Sequence, residues 1–321
     1  MKNKRVLLID ALNLFIRNYI VDPSLSTNGH PIGGTKGFIK SLQAVCRIIN
    51  PDLIFVAWDG GSQKRKSMDK NYKAGRKPVR LNRDIHNMTA GEQEDNKHWQ
   101  QERIIEYLNQ LPILQSYVEN VEADDIIALV SQSQVLSEHH KIILSSDKDF
   151  IQLCDDTTIL YRPIQKEILN KKRILEQFQI HPTNFALARA IAGDKSDNLP
   201  GVGGAGLATI SKRFPFLSEE KAYTIQELVD YAEKADSKLK VFKNIIENKD
   251  LIEKNYKMMQ LYAPCISAQS AQHIRRMIGN PELTFNKTGV RAMMIEDGFG
   301  AYDWNDLFTL LNRITVENKG G

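Results

Sequence analysis

The chain has 321 residues, with 43 Lys and Arg against 39 Asp and Glu and a net charge of +4. That length supports one large or two smaller domains, and 42% hydrophobic with 26% charged residues excludes a disordered chain. The longest apolar run, residues 53–58, is far short of a membrane span. The apolar stretch behind the basic start Met1-Lys2-Asn3-Lys4-Arg5 breaks at Asp10, too early for a signal peptide. Cys46, Cys154 and Cys265 are scattered and lack metal-ligand spacing, so a reducing cytoplasm is expected.

In chain order, Val6-Leu7-Leu8-Ile9 ends on Asp10, residues 53–58 end on Asp59, and residues 141–146 end on Asp147. Such short apolar runs belong to strands buried on both faces. Helical periodicity follows the first run at 38–49 and precedes the third at 124–136. The pattern predicts an α/β fold with a parallel, doubly wound sheet, whose functional crevice lies beyond the carboxyl ends of the strands. From about residue 170 strand signals fade, and 183–192, 239–260 and 303–312 read as helices. A soft boundary near residue 180 is expected, giving a catalytic region 1–180 and a helical region 181–321.

Nine acids stand out at strand ends, helix starts and turns: Asp10, Asp59, Glu122, Asp124, Asp125, Asp147, Asp149, Asp194 and Asp197. Taken singly, each is explained by capping or by the helix dipole. Gathered into one crevice they would repel strongly, and hard divalent cations relieve that repulsion. All-oxygen donors suit Mg²⁺ or Mn²⁺, and the absence of interleaved His or Cys argues against zinc. Two such cations are standard apparatus for in-line attack on a phosphodiester.

Directly after Asp59 comes the densest basic stretch. Lys64, Arg65, Lys66, Lys70, Lys73, Arg76, Lys77, Arg80 and Arg83 face only Asp69 and Asp84 across residues 64–86. Alone it reads as a solvated loop; beside an acidic metal crevice it reads as a phosphate-gripping arm. Gly201-Val202-Gly203-Gly204-Ala205-Gly206 fits G-x-G-x-x-G, yet a polar turn rather than a strand precedes it, which excludes a dinucleotide site. A helix-hairpin-helix accounts for it better. Helices at 183–192 and 207–213 flank a Leu199-Pro200-Gly201-Val202-Gly203 hairpin whose backbone N–H groups face a duplex phosphate.

Six stretches in this order resemble the 5′-nuclease (flap endonuclease) superfamily: Leu7-Leu8-Ile9-Asp10, Trp58-Asp59, Tyr72-Lys73-Ala74-Gly75-Arg76, Val121-Glu122-Ala123-Asp124-Asp125, Ser146-Asp147-Lys148-Asp149-Phe150 and Gly193-Asp194-Lys195-Ser196-Asp197-Asn198-Leu199-Pro200-Gly201-Val202-Gly203. They span about two thirds of the chain. The tail from Thr288 is similar to the ribonuclease H branch of T-even-type phages, whereas the intact hairpin is closer to the polymerase-linked and flap-endonuclease branches.

The resemblance implies a mixed, mainly parallel central sheet flanked by helices, with a helical C-terminal region. It implies that Asp10, Asp59, Glu122 and Asp124 hold one Mg²⁺, and that Asp147, Asp149, Asp194 and Asp197 surround a second, partly through water. Asp125 matches a further family acid. Lys73 and Arg76 match the family's active-site lysine and arginine, and Arg65 matches a basic position on the same helix, all three facing DNA. Residues 64–103 would carry the helical arch, of which 78–101 are polar enough to lack order without DNA. Gly201, Gly203, Gly204 and Gly206 would meet duplex backbone, with K⁺ between carbonyls and phosphate.

The implied activity is hydrolysis at RNA–DNA hybrid ends, 5′ flaps and nicked duplex DNA, as in removal of RNA primers. Products would carry a 5′-phosphate and a 3′-hydroxyl. A monomer is expected, with no membrane partner and with replisome proteins such as a single-strand-binding protein or sliding clamp as partners. Residues 312–321 carry no clamp-binding signature. Two rival readings are a PIN-type ribonuclease, which normally lacks the arch and hairpin, and a non-catalytic junction binder, for which retained repulsive acids are a liability.

Overall fold

The structure, a computed structural model, describes residues 3–76, 79, 81, 88–235 and 239–319. Its elements begin β1 (Arg5–Asp10), α1 (Ala11–Val21), α2 (Gly33–Ile49), β2 (Leu53–Trp58), α3 (Gln63–Met68), α4 (Ala90–Asn109), β3 (Leu114–Tyr117), α5 (Ala123–Ser131) and β4 (His140–Leu144). Next come β5 (Thr158–Arg162), β6 (Glu167–Leu169), α6 (Lys171–Phe178), α7 (Pro182–Ala192), α8 (Leu207–Arg213) and α9 (Ile225–Lys234). The chain closes with α10 (Lys240–Glu247), α11 (Lys249–Met259), α12 (Ala268–Gly279), α13 (Lys287–Glu296) and α14 (Trp304–Lys319). The class is α/β with mainly parallel strands, and among the described residues only helices follow Leu169. None of these helices is long and apolar enough to cross a membrane.

Two compact units divide the chain. The first comprises the described residues of Met1–Gly60, Pro78–Ser145 and Ser267–Gly321. Its parallel strands run in the order β3-β2-β1-β4, with Val6 opposite Leu53 and Lys141. Val6, Leu7, Leu8 and Ile9 are fully buried, as are Ile54 to Ala57, so these strands read as continuous apolar runs. β3 is different. It lies at the edge, alternates buried Leu114 and Ser116 with an exposed Tyr117, and carries no apolar run for a reader to find.

The second half of the 78–101 segment, where the arch is expected, is helical. Ala90–Asn109 is a helix started by a capping box: Glu92 N–H donates to Thr89 Oγ1 at 3.2 Å, and Thr89 N–H donates to the Glu92 carboxylate at 2.7 Å. Buried Gln100 then accepts from Thr35 N–H at 2.9 Å, anchoring α4 to α2. Lys77, Arg80 and Arg83 of the basic segment lie outside the described residues.

The last three helices belong to this first unit, so the two units do not follow a single cut near residue 180. Long-range polar ties explain why. Arg103 Nε donates to Asp297 Oδ2 at 2.6 Å, and the Tyr107 hydroxyl donates to the same oxygen. Arg313 donates to Asp52 at 2.8 Å and Arg47 to Asp306 at 2.7 Å, while Phe299, Tyr302 and Trp304 pack ring against ring.

The second unit comprises the described residues of Gly61–Lys77 and Ser146–Ile266. β5 and β6 pair antiparallel, which makes the strand set mixed. α7 is its central helix: Phe185, Ala188, Ala190 and Ile191 are fully buried, and α11 packs along it. The helical signal at 239–260 resolves into two helices that break at Asn248, whose side chain donates to the Asn244 carbonyl.

Asp297→Ala would leave the Arg103 guanidinium and the Tyr107 hydroxyl poorly satisfied with little water nearby. An expected loss of about 2–4 kcal/mol in urea unfolding checks this anchor of the C-terminal helices.

Candidate metal centre and phosphate-binding surface

In the first unit the parallel register sets the carboxylates. Asp10 lies opposite Ala57, so the ends of β1 and β2 share one edge of the sheet, and Ile9 lies opposite Leu144 next to Ser145. Asp10 also caps α1, accepting from Asn13 N–H at 3.1 Å through Oδ1 and from Ser145 Oγ at 3.0 Å through Oδ2. The capping reading of Asp10 is therefore correct in part, and the same side chain stays at the sheet edge.

Asp59 follows β2, and the backbone behind it is tied to the approach to α5. Gly60 N–H donates to the Val121 carbonyl and Asn120 N–H donates to the Gly60 carbonyl, both at 2.8 Å. A Cβ at Gly60 would lie 1.9 Å from the Val118 carbonyl oxygen, so only glycine allows this approach. It brings the loop carrying Asp59 beside the segment carrying Glu122. Glu122 is the N-cap of α5 and is buried, as is Asp125, while Asp124 is half-buried in the first turn.

In the second unit, Asp147 caps a 3-10 turn at Lys148–Leu153 by accepting from Asp149 N–H at 2.8 Å. Arg189, near the end of α7, donates through Nε to Asp149 Oδ1 at 2.8 Å and through Nη2 to Asp194 Oδ2. Burial and the neighbouring Asp147 push the Asp149 carboxyl up to about 7 against the pull of Arg189, and burial raises Asp147 as well. At Asp194 burial opposes ionisation, but hydrogen bonds from Ser196 and the Arg189 charge outweigh it and hold the carboxyl below its ordinary value. Sequence reasoning missed Arg189, because a single arginine in an apolar helix carries no pattern.

Asp197 receives the basic turn. Tyr72 donates its hydroxyl to Asp197 Oδ2 at 3.1 Å, the Lys73 N–H donates to the Asp197 carbonyl at 2.9 Å, and Arg76 forms an ion pair with the carboxylate. Lys73 itself sits at φ +57° and Gly75 at +83°, so the turn is left-handed at both positions. Arg65 is placed differently from the surface arm expected of it. It is buried in α3, and its Nε donates to the Met258 carbonyl at 2.8 Å, which makes it part of the packing.

α7 and α8 flank the glycine loop at the predicted places, α7 beginning one residue earlier. Its glycines do two jobs. A Cβ at Gly201 would lie 2.0 Å from the Ala192 carbonyl oxygen, a demand of packing, whereas one at Gly204 or Gly206 would meet nothing within 4 Å. Gly203 is held from behind by the Asn244 side chain, which donates to its carbonyl at 2.9 Å.

All the acids offer oxygen, the donor class of Mg²⁺ and Mn²⁺, and the raised Asp147 and Asp149 carboxyls are what a divalent cation would relieve. The donor set fits such ions. Among the described residues, no three His, Cys, Asp or Glu side chains form a ready-made cage; in the second unit Arg189 and Arg76 lie among the carboxylates.

The chain belongs to the 5′-3′ exonuclease family of the 5′-nuclease superfamily, hydrolases of phosphodiester bonds: the model of the 5′-3′ exonuclease N-terminal, resolvase-like domain matches residues 5–179. It is 25% identical over 261 residues to a 5′-3′ exonuclease of Aquifex aeolicus, covering 81% of this chain and 82% of that protein. It is 27% identical over 264 residues to the flap endonuclease Xni of a Shewanella strain, covering 80% and 90%. With the thermostable DNA polymerase I of Thermus thermophilus it shares 30% identity over 210 residues, 65% of this chain but 23% of the polymerase. Among solved structures, the T5 5′-exonuclease with bound zinc superimposes with a TM-score of 0.66 at 18% identity, covering 86% of this chain and 98% of that one. That likeness is one of fold.

Gly60→Ala would force the Val118 carbonyl away and displace both acid-bearing segments. The expected cost is about 2–3 kcal/mol, read as a lower urea midpoint.

Proposed function

We propose that the chain is a divalent-cation-dependent, structure-specific 5′ nuclease acting on RNA–DNA hybrid ends, 5′ flaps and nicked duplex DNA. Its products carry a 5′-phosphate and a 3′-hydroxyl, and its role is removal of RNA primers during lagging-strand synthesis. The observation that carries this reading is the second unit's arrangement: Asp147, Asp149, Asp194 and Asp197 lie with the Lys73–Arg76 turn docked on Asp197, in a chain of the 5′-3′ exonuclease family.

Asp10, Asp59, Glu122 and Asp124 hold the first Mg²⁺, with buried Asp125 assigned to the same group. Asp147, Asp149, Asp194 and Asp197 surround the second, partly through water, and Mn²⁺ substitutes for either. When bound, the cations supply Lewis-acid activation of water and neutralise charge at the scissile phosphate. The chain's own residues do the rest. Ser145 and the start of α1 orient Asp10 through both of its oxygens. Lys73 and Arg76 offset charge that develops on the phosphate, and the Asp197 contacts hold their turn in place beforehand.

Gly201, Gly203, Gly204 and Gly206 would meet the duplex backbone, and K⁺ held by this loop would offset phosphate charge there. The hairpin offers backbone groups rather than side chains that reach base edges, so the protein selects shape over sequence. It acts as a cytoplasmic monomer, with a single-strand-binding protein or a sliding clamp as its replisome partner.

The test uses 5′-labelled RNA–DNA hybrid, flap and nicked duplex, each with Mg²⁺ or with chelator, beside Asp149→Asn. Cleavage that requires Mg²⁺ and falls at least about 100-fold in the variant is the expected result. Binding of all three substrates without Mg²⁺-dependent cleavage of any would overturn it in favour of a junction-binding protein.

A further inference from the structure

Arg189 is the one cation of α7 that reaches two of the proposed ligands, and its geometry divides their labour. Its guanidinium makes three directed contacts, Nε to Asp149 Oδ1 at 2.8 Å, Nη2 to Asp194 Oδ2 and Nη1 to the Gly193 carbonyl at 3.4 Å. A planar fork fixes the relative placement of its acceptors in a way that a flexible ammonium does not. The two carboxylates come from separate segments, the 3-10 turn at Lys148–Leu153 and the loop after α7.

Both carboxylate oxygens of Asp194 are engaged. Oδ1 takes Ser196 N–H at 2.7 Å, Ser196 Oγ–H at 2.6 Å and Asp197 N–H at 3.4 Å, and Oδ2 takes Arg189. Three donors thus converge on Oδ1 and the guanidinium holds Oδ2, so neither oxygen of Asp194 is without a partner. The backbone of Asp194 is tied across the loop, its N–H donating to the Leu199 carbonyl at 2.8 Å and its carbonyl accepting from Leu199 N–H at 2.7 Å. Asp149 contrasts with it. Its backbone is fixed at both ends, its N–H bonded to Asp147 and its carbonyl to the Gln152 side chain at 2.8 Å. Of its side-chain oxygens only Oδ1 is taken by Arg189.

We propose that Arg189 is a positioning residue that braces Asp149 against Asp194, so that Asp149 meets a divalent cation through Oδ2 while Asp194 serves as the anchor of the brace rather than as a direct ligand. The proposal rests on the metal-dependent nuclease reading and refines it at the second cation. It separates two effects of a cation placed among ligands. As a charge alone, Arg189 repels the metal, and its removal tightens binding. As a brace it preorganises the ligand, and its removal loosens binding, as loss of a supporting hydrogen bond typically does by about 10–100-fold.

The experiment is a Mn²⁺ titration of the full chain without nucleic acid, followed by electron paramagnetic resonance, for wild type, Arg189→Lys, Arg189→Ala and Asp194→Asn. Thermal unfolding of each selects the variants that fold. The brace predicts that Arg189→Lys, which keeps the charge and loses the fork, weakens Mn²⁺ about tenfold, as Arg189→Ala does. Asp194→Asn gives a similar loss, and the Arg189→Ala/Asp194→Asn double variant is no worse than either single change. Cleavage by Arg189→Lys recovers at high Mn²⁺, so the loss lies in the metal requirement rather than in kcat. Arg189→Lys binding like wild type, or Arg189→Ala binding more tightly, overturns the brace. Additive losses in the double variant overturn it too, by making Asp194 an independent ligand. A wild-type chain that neither binds Mn²⁺ nor cleaves refutes the nuclease reading itself, which keeps the two failures apart.

Discussion

Carboxylates brought close together with little water repel one another, and each unit must hold its own acids in place. The first unit does so with hydrogen-bond donors from its own frame. Asp10 is gripped by Asn13 N–H and by Ser145, and Glu122 is buried at the head of α5. The second unit adds full charges to its backbone donors: Asp147 accepts from Asp149 N–H and Asp194 from Ser196 N–H, while Arg189 lies between Asp149 and Asp194 and Arg76 on Asp197.

The same economy explains where glycine is indispensable. At Gly60 and Gly201 a methyl group would collide with a carbonyl oxygen at 1.9 and 2.0 Å, so these residues let two backbone segments touch. One contact sets Asp59 beside the approach to Glu122; the other closes the loop that carries Asp194 and Asp197. Gly204 and Gly206 have no such neighbours. Their freedom lies outward, toward whatever approaches the hairpin, and internal packing gives no reason for them.

Much of this was legible in the sequence because burial on both faces leaves an unbroken apolar run. Val6 to Ile9 and residues 53–58 announced β1, β2 and the acids that end them. β3 was not legible, since a half-polar edge strand of four residues has no such run, and α4 was masked by its charged surface although Thr89 and Glu92 mark its start. The assignment of α12, α13 and α14 to the first unit depends on pairs such as Arg103 with Asp297, nearly two hundred residues apart, which local pattern does not encode. Arg65 shows the opposite error. Composition reads nine basic residues as one solvated arm, yet this one is turned inward to a backbone carbonyl, and only tertiary context separates it from Lys73 and Arg76.

The net charge of +4 takes its meaning from that placement. Nine of the 39 acids form the proposed cation sites, so the rest of the chain is more basic than the sum suggests. Under the proposed function, a cation at those sites would cancel acid charge where a phosphate must come, and the basic remainder would attract the polyanion from a distance, a pull that salt weakens. Attraction alone does not choose a substrate. What the structure adds to charge is backbone geometry: a left-handed turn at Lys73 bonded to the Asp197 carbonyl, and a glycine loop in which Gly204 and Gly206 have open space around them. Under the proposed function, contacts made through such backbone would discriminate by the path of a strand and carry no information about its bases.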